Sequence, residues 1–304
     1  MMYILLIIGI IILVILKTYY NHIINTYFRN KNNIMYDYLI QYIQVVDDTN
    51  YFMNYGLWDN NHTTLKDANE NLCHFIYNKA NLEGDNGFCI LDVGCGYGHQ
   101  DFYWINKLNP LSKIYAVDIS DTQIKYATDM SVHKQIPESK LQFIQCDAHN
   151  IDSVMTNYVM TGLKKFDRII SLESAFHYKD RPLFFNHVGK LLDKNGRFII
   201  SDIILSGSGS ESDSILLNLF CDFLHIPKQN LICLPEWKSQ LETAGLTIID
   251  IYDVTEQTFC PYYKYFFTEY IKNKGLPEIM ARMLYSMFTR NQPFSYIIAV
   301  CSVN

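Results

Sequence analysis

The 304-residue sequence predicts an α/β fold: a seven-stranded, mostly parallel, doubly wound sheet with helical cap insertions, behind an N-terminal transmembrane helix. Three observations predict the sheet. From Gly87 onward, short β-rich runs alternate with amphipathic stretches, the pattern of βαβ units. Acidic residues recur at or just past the ends of those runs: Asp92, Asp118, Asp147, Glu173 and Asp202 stand 26, 29, 26 and 29 residues apart. The first run ends in Asp92, followed by glycines at 94, 96 and 98 and then a helical stretch. In an open α/β sheet the carboxyl ends of the strands form one edge, where ligands bind.

In chain order, residues 1–16 carry no charged side chain. As a helix they would span roughly 24 Å, against about 30 Å for a hydrocarbon core. Lys17, Tyr19 and Tyr20 follow at once and extend the usable span by snorkelling and interfacial contact. A cleaved signal peptide would need a basic start and a small-residue cleavage site, and neither is present. A core helix would need a polar face, which this stretch lacks. The expectation is a membrane anchor over residues 1–17. Lys17, Arg29 and Lys31 lie C-terminal to it, so the rest of the chain should face the cytosol.

Residues 18–33 are polar and Asn-rich and read as a tether. The domain then runs over 34–304. A helix is expected over 34–48, then an aromatic stretch over 51–58, then a helix over 63–81 capped by Thr64; together 34–81 form an N-terminal helical cap. Strands are expected at 88–93, 113–119, 141–146, 167–172 and 197–205, with helices at 99–109, 120–133, 151–163 and 181–192. The runs ILDV, IYAV and RIISL are nearly continuous in apolar character, as strands covered on both faces must be. Beyond them come a flexible loop at 206–214, helices at 215–225 and 235–244, a strand at 247–254, a helix over 262–290 and a closing strand at 295–303. The last two strands should form an antiparallel pair. Residues 206–234 and 256–292 are insertions on the ligand side.

Composition narrows the function. At 49% hydrophobic residues the chain is no disordered segment. With 25 Lys and Arg against 31 Asp and Glu it has no field to gather nucleic acid, so no nucleic-acid partner is expected. The 8 cysteines form no CxxC pair and no zinc spacing, so no metal site and no disulfide framework is expected.

Glycines after a strand let the backbone turn tightly and let a ligand approach main-chain N–H groups. A dinucleotide site is the first rival, but its third glycine would stand where His99 is. Asp92 just before the loop would also repel a pyrophosphate and suits a cationic ligand.

The segment LDVGCGYG (91–98) resembles the glycine-rich motif of class I S-adenosylmethionine-dependent methyltransferases. The likeness extends over most of 50–304: AVDIS at 116–120, CDAH at 146–149, LESAFHYKDR at 172–181, and LLDKNGRFIISDII at 191–204 are similar to successive strand ends of that Rossmann-like fold. The nearest patterns are small-molecule enzymes acting on tocopherols, sugars and polyketides, and the cyclopropane synthase group. NYGLWD at 54–59 is similar to their N-terminal segment, and Lys194-Asn195 departs from the usual Pro-Gly on the far side of the sheet.

The resemblance implies S-adenosylmethionine as co-substrate, no metal, and a small-molecule methyl acceptor. Asp118 would take both ribose hydroxyls, with Ile119 and Gln123 beside it. Asp147 and the Ala148 N–H would read the adenine amino edge. Asp92, Gly94, Cys95, Gly96 and Gly98 would cradle the methionine end, with Glu173 on the cofactor or acceptor side. In similar O-methyltransferases a His and an Asp act as base and orienting acid, which carries onto His177 and Asp202. The bland alternative for His177 is a packed structural histidine, and the alternative for the whole chain is a non-catalytic cofactor-binding scaffold. The oligomeric state and the acceptor atom are not set by the sequence. The aromatic run 258–270 and the anchor both point to an apolar, aromatic or lipid-like acceptor.

Overall fold

Thr64 opens the first described helix, α1 (Leu65–Lys79), by accepting a hydrogen bond from the Asp67 N–H at 3.1 Å. Leu65, Ala68, Leu72 and Ile76 recur on one face and are buried. Withdrawing each large aliphatic side chain from water contributes about 1.5–3 kcal/mol. The computed structural model describes residues 50–59, 62–84, 86–160, 165–207, 225–274 and 293–303, with isolated positions 40, 44, 46, 221, 279, 282, 285, 286 and 289.

Seven strands follow: β1 (Cys89–Val93), β2 (Lys113–Asp118), β3 (Leu141–Gln145), β4 (Phe166–Leu172), β5 (Leu192–Leu205), β6 (Leu246–Asp253) and β7 (Phe294–Val303). Between them lie α2 (His99–Ile105), α3 (Asp121–His133), α4 (Ile151–Met160), α5 (Arg181–Leu191), α6 (Leu234–Thr243) and α7 (Thr255–Asn273). The sheet order is β3-β2-β1-β4-β5-β7-β6. The first five strands run parallel. β7 lies antiparallel between β5 and β6, as expected of the closing pair.

Period-2 alternation splits the core in two. Ile90, Ile114, Ile170 and Ile199 face α1, α2 and α7 with Trp104 and Phe259. Leu91, Val117, Ile169 and Phe198 face α4, α5 and α6 with Met155, Phe184 and Trp237. The chain leaves β3 on one side and resumes at β4 on the other side of β1. That reversal opens a crevice at the carboxyl ends of β1 and β4.

Some boundaries move. α7 begins at Thr255, nearly two turns before Pro261, which stands inside the helix and disguises its start in the sequence. β5 begins at Leu192, paired with Phe166 before a register shift at Phe166/Arg168. The expected anchor (1–17) and tether (18–33) lie outside the described residues. So do most of the helices expected at 34–48 and 215–225, and much of 206–214 and 275–292. Among the described residues no helix is long and apolar enough to cross a membrane.

Candidate functional site

The loop after β1 is held by its neighbours rather than by itself. The N–H groups of Gly94 and Cys95 both donate to the Val117 carbonyl, at 2.8 and 3.1 Å. Gly94 has φ +86, and a Cβ there would come within 2.0 Å of the Ser174 Oγ. The turns after β1 and β4 therefore approach so closely that only glycine fits. Gly98 has φ +76 and caps α2, and Cys95 is buried, which pushes its thiol well up.

Asp118, at the end of β2, ties this loop to the next one. Its Oδ2 accepts from the Gly96 N–H and its Oδ1 from the Ser120 N–H, each at 2.9 Å. Ser120 in turn caps α3 through the Gln123 N–H. Ile119 beside it is 41% exposed, one of few large apolar side chains so open. Gln123 is buried, and its Nε2 finds no acceptor among the described residues. After β3, Asp147 caps the turn Ala148–Asn150 by accepting the His149 N–H, and Ala148 is buried in that turn.

Asp92 departs from its expected role of facing a ligand's ammonium. It is fully buried, and its Oδ2 accepts from the Gln100 side chain at 2.6 Å. Asp101 of α2, also fully buried, faces the same carboxyl. Two facing carboxyls bond only if one keeps its proton. Burial pushes Asp92 up to about 7, and burial, with the charge of Asp92 second, pushes Asp101 well above the usual carboxyl range. Asp92 braces the floor of the glycine loop, because α2 carries Gln100 and Asp101 down beneath it.

Glu173 follows β4 with φ +50, a strained conformation for a side chain of its size. Both its oxygens accept from the Tyr55 N–H, at 2.9 and 3.1 Å, and Oε1 accepts from the Tyr296 hydroxyl at 2.6 Å. Its own N–H donates to the Ser201 Oγ. Burial raises it to about 8 against the pull of those donors. Through its carboxyl and its main-chain N–H, this one residue gathers the N-terminal stretch, β5 and β7 at the end of β4.

His177 and Asp202 do not converge. The His177 ring is half-buried against Phe176, with centroids 4.1 Å apart, and its Nδ1 stands 3.2 Å from the His225 carbonyl. A carbonyl can only accept, so Nδ1 bears the hydrogen and Nε2 the lone pair. Burial lowers the ring to about 4. Asp202 was expected over the same pocket as the orienting acid. Instead its Oδ2 is fully buried against the Arg181 Nη1 at 3.0 Å and the Trp237 Nε1 at 2.7 Å. Arg181 also donates to the Asn230 carbonyl. This end of β5 is turned into the core by α5 and α6.

Sequence reasoning missed Tyr55, Tyr296, Gln100, Asp101, Arg181 and His225. Tyr55 lies within NYGLWD (54–59) and Arg181 ends LESAFHYKDR (172–181). The others carry no signal until α2, β7 and the segment before α6 are folded into place.

A family model described as a methyltransferase domain matches residues 85–257, more than half of the chain. Erythromycin 3''-O-methyltransferase from Saccharopolyspora erythraea is 28% identical over 246 residues, covering 79% of this chain and 76% of that protein. Among solved structures, a putative sarcosine dimethylglycine methyltransferase from Galdieria sulphuraria is similar with a TM-score of 0.69 at 16% identity, over 88% of this chain and 98% of that one. A cyclopropane synthase from Mycobacterium tuberculosis is similar with a TM-score of 0.66 at 15% identity, over 88% and 95%. At such identities the structural likeness shows the fold alone.

Proposed function

The chain belongs to this methyltransferase-domain family and is an S-adenosylmethionine-dependent methyltransferase of small molecules, and from that premise we propose that it methylates a hydroxyl on an apolar acceptor with His177 as general base. The residues present fit the cofactor. Gly96 leaves its surroundings open, its nearest neighbour at the Cβ position being the Met53 side chain at 3.7 Å, and Asp118 closes β2 where a carboxylate suits a ribose diol. Ile119 offers adenine an exposed apolar face, and Asp147 an acceptor for its amino group. Bound there, S-adenosylmethionine supplies an electrophilic methyl group on a sulfonium.

The chain's own residues position the acceptor and take its proton. The observation that carries the base assignment is the His177 Nδ1 hydrogen bond to the His225 carbonyl. It fixes the tautomer with Nε2 basic, and the lowered pKa keeps the ring neutral at physiological pH. Phe259, Tyr262 and Tyr263 on α7, packed around Tyr55, with Phe267 stacked on Tyr263, support an apolar acceptor, as does the substrate named for the 28%-identical relative.

The test is His177→Ala. Turnover should fall by about 10²–10⁴ with S-adenosylhomocysteine affinity unchanged. The acid limb of the wild-type rate should lie well below the ordinary imidazole range near 6.5, toward the lowered value of about 4. Near wild-type turnover, or loss of nucleoside binding, would overturn the base assignment.

Residues 1–17 are proposed to anchor the enzyme in a membrane with the domain on the cytosolic side. The support is the uncharged stretch 1–16 and the Lys17, Arg29 and Lys31 that follow it. Carbonate extraction should leave the full chain in the pellet and release a fragment starting near residue 34; release of both would refute the anchor.

A further inference from the structure

The turn after β3 contains a hydrogen-bond arrangement that the adenine-binding assignment does not use. Asp147 and His149 lie two residues apart, and the His149 Nδ1 stands 2.7 Å from the Asp147 Oδ1. The other ring nitrogen, Nε2, receives the Asp180 N–H at 2.9 Å. A backbone N–H can only donate, so Nε2 must carry a lone pair. The neutral ring then has its hydrogen on Nδ1, which donates to Asp147. The same Oδ1 also accepts the His149 backbone N–H at 2.9 Å. Two donors occupy Oδ1, while Oδ2 takes no hydrogen bond among the described residues. The Asp147 side chain remains 39% exposed and that of His149 22%, so the open oxygen is within reach of a ligand.

The ring itself is fixed from behind. Asp180 is the N-cap of α5, its carboxylate accepting the Leu183 N–H at 2.9 Å. Two turns along the same helix, the His187 Nε2 donates to the His149 carbonyl at 3.0 Å. The turn Ala148–Asn150 is therefore clamped to α5 at both its side chain and its main chain, and the clamp passes through His149.

Resting on the cofactor reading above, we infer that His149 is a positioning residue: it locks the Asp147 carboxylate so that Oδ2 faces the adenine amino group, and so sets the preference for a 6-amino over a 6-oxo purine. A carboxylate oxygen accepts from an amino group and repels a carbonyl. A carboxylate free to rotate would discriminate less, since a second donor could turn it away.

The test uses the full-length protein and two probes, S-adenosylhomocysteine and S-inosylhomocysteine, titrated to equilibrium, with a melting temperature for each variant. Wild type should prefer the adenosine probe by about tenfold or more, the scale of one hydrogen bond to a charged acceptor. His149→Asn places an amide N–H near the Nδ1 position but cannot reach Asp180; it should keep the preference while its melting temperature falls. His149→Gln can accept from Asp180 but offers Asp147 no donor at the Nδ1 position; it should keep its melting temperature while its preference drops several-fold. Preference that tracks melting temperature across both variants would make His149 merely structural and overturn the inference. So would an unchanged preference in His149→Gln. Wild type binding neither probe would overturn the cofactor reading itself, a result distinct from binding without preference, which would overturn only the role given to Asp147 and His149.

Discussion

The two halves of the ligand edge are built on different length scales. On the β1-β2-β3 side, the acids hold their own loops: Asp118 reaches Ser120 two residues on and Gly96 twenty-two residues back, and Asp147 reaches His149 two residues on. On the β4-β5 side, Asp202 meets Arg181 across 21 residues, but the longest ties run much farther along the chain. Glu173 is tied to Tyr55 and Tyr296 across 118 and 123 residues, His177 to His225 across 48, and Asp202 to Trp237 across 35. Local contacts make the cofactor side a motif. Distant contacts tie the β4-β5 side to several segments at once, and one of these, the stretch carrying Tyr55, also packs on the glycine loop through Tyr51 and Tyr97.

The largest effect should come from breaking the far side. Arg181→Met leaves Asp202 fully buried without its cation and should cost about 3–5 kcal/mol of stability by chemical denaturation. Replacing both, as Arg181→Met with Asp202→Asn, should recover part of that loss. If the single variant is as stable as wild type, the Arg181–Asp202 pair does not hold α5 to β5.

A smaller effect is expected on the near side, and it should appear in binding. Asp118→Ala loses an acceptor for the ribose and the brace on Gly96, so S-adenosylhomocysteine affinity should fall about tenfold or more by calorimetry. Equal binding by wild type and variant would remove Asp118 from the cofactor site. A fall in stability as large as that of Arg181→Met would erase the contrast between the two sides.

The third effect is a slope. Glu173 titrates at about 8 in the folded chain, against an ordinary carboxyl value near 4 when unfolded. Between those values the folded state holds a proton that the unfolded state has lost, so stability should fall as pH rises from about 4 to about 8. Glu173→Gln keeps an acceptor for Tyr55 and Tyr296 and should flatten that fall in pH-dependent melting curves. A slope unchanged by the substitution would assign it to other groups, Asp92 with its raised value of about 7 among them.

The sequence alone determined the strand and helix alternation, the glycine loop, the spacing of the five acids and the Thr64 cap. Each depends on residues close in the chain, where hydrophobic period and backbone restriction act directly. It also placed a glycine at 94, though not the reason, which is the approach of Ser174. Where each acid points was decided only by the tertiary structure. Asp92 and Asp202 fall in the same sequence spacing as Asp118, yet both are fully buried, Asp202 within β5 three residues before its end: α2 brings Gln100 and Asp101 against one, and α5 and α6 bring Arg181 and Trp237 against the other. A strand carboxylate is turned to the core where a packed helix, preceding or following, supplies it with buried partners, and that supply exists only once the helices are packed.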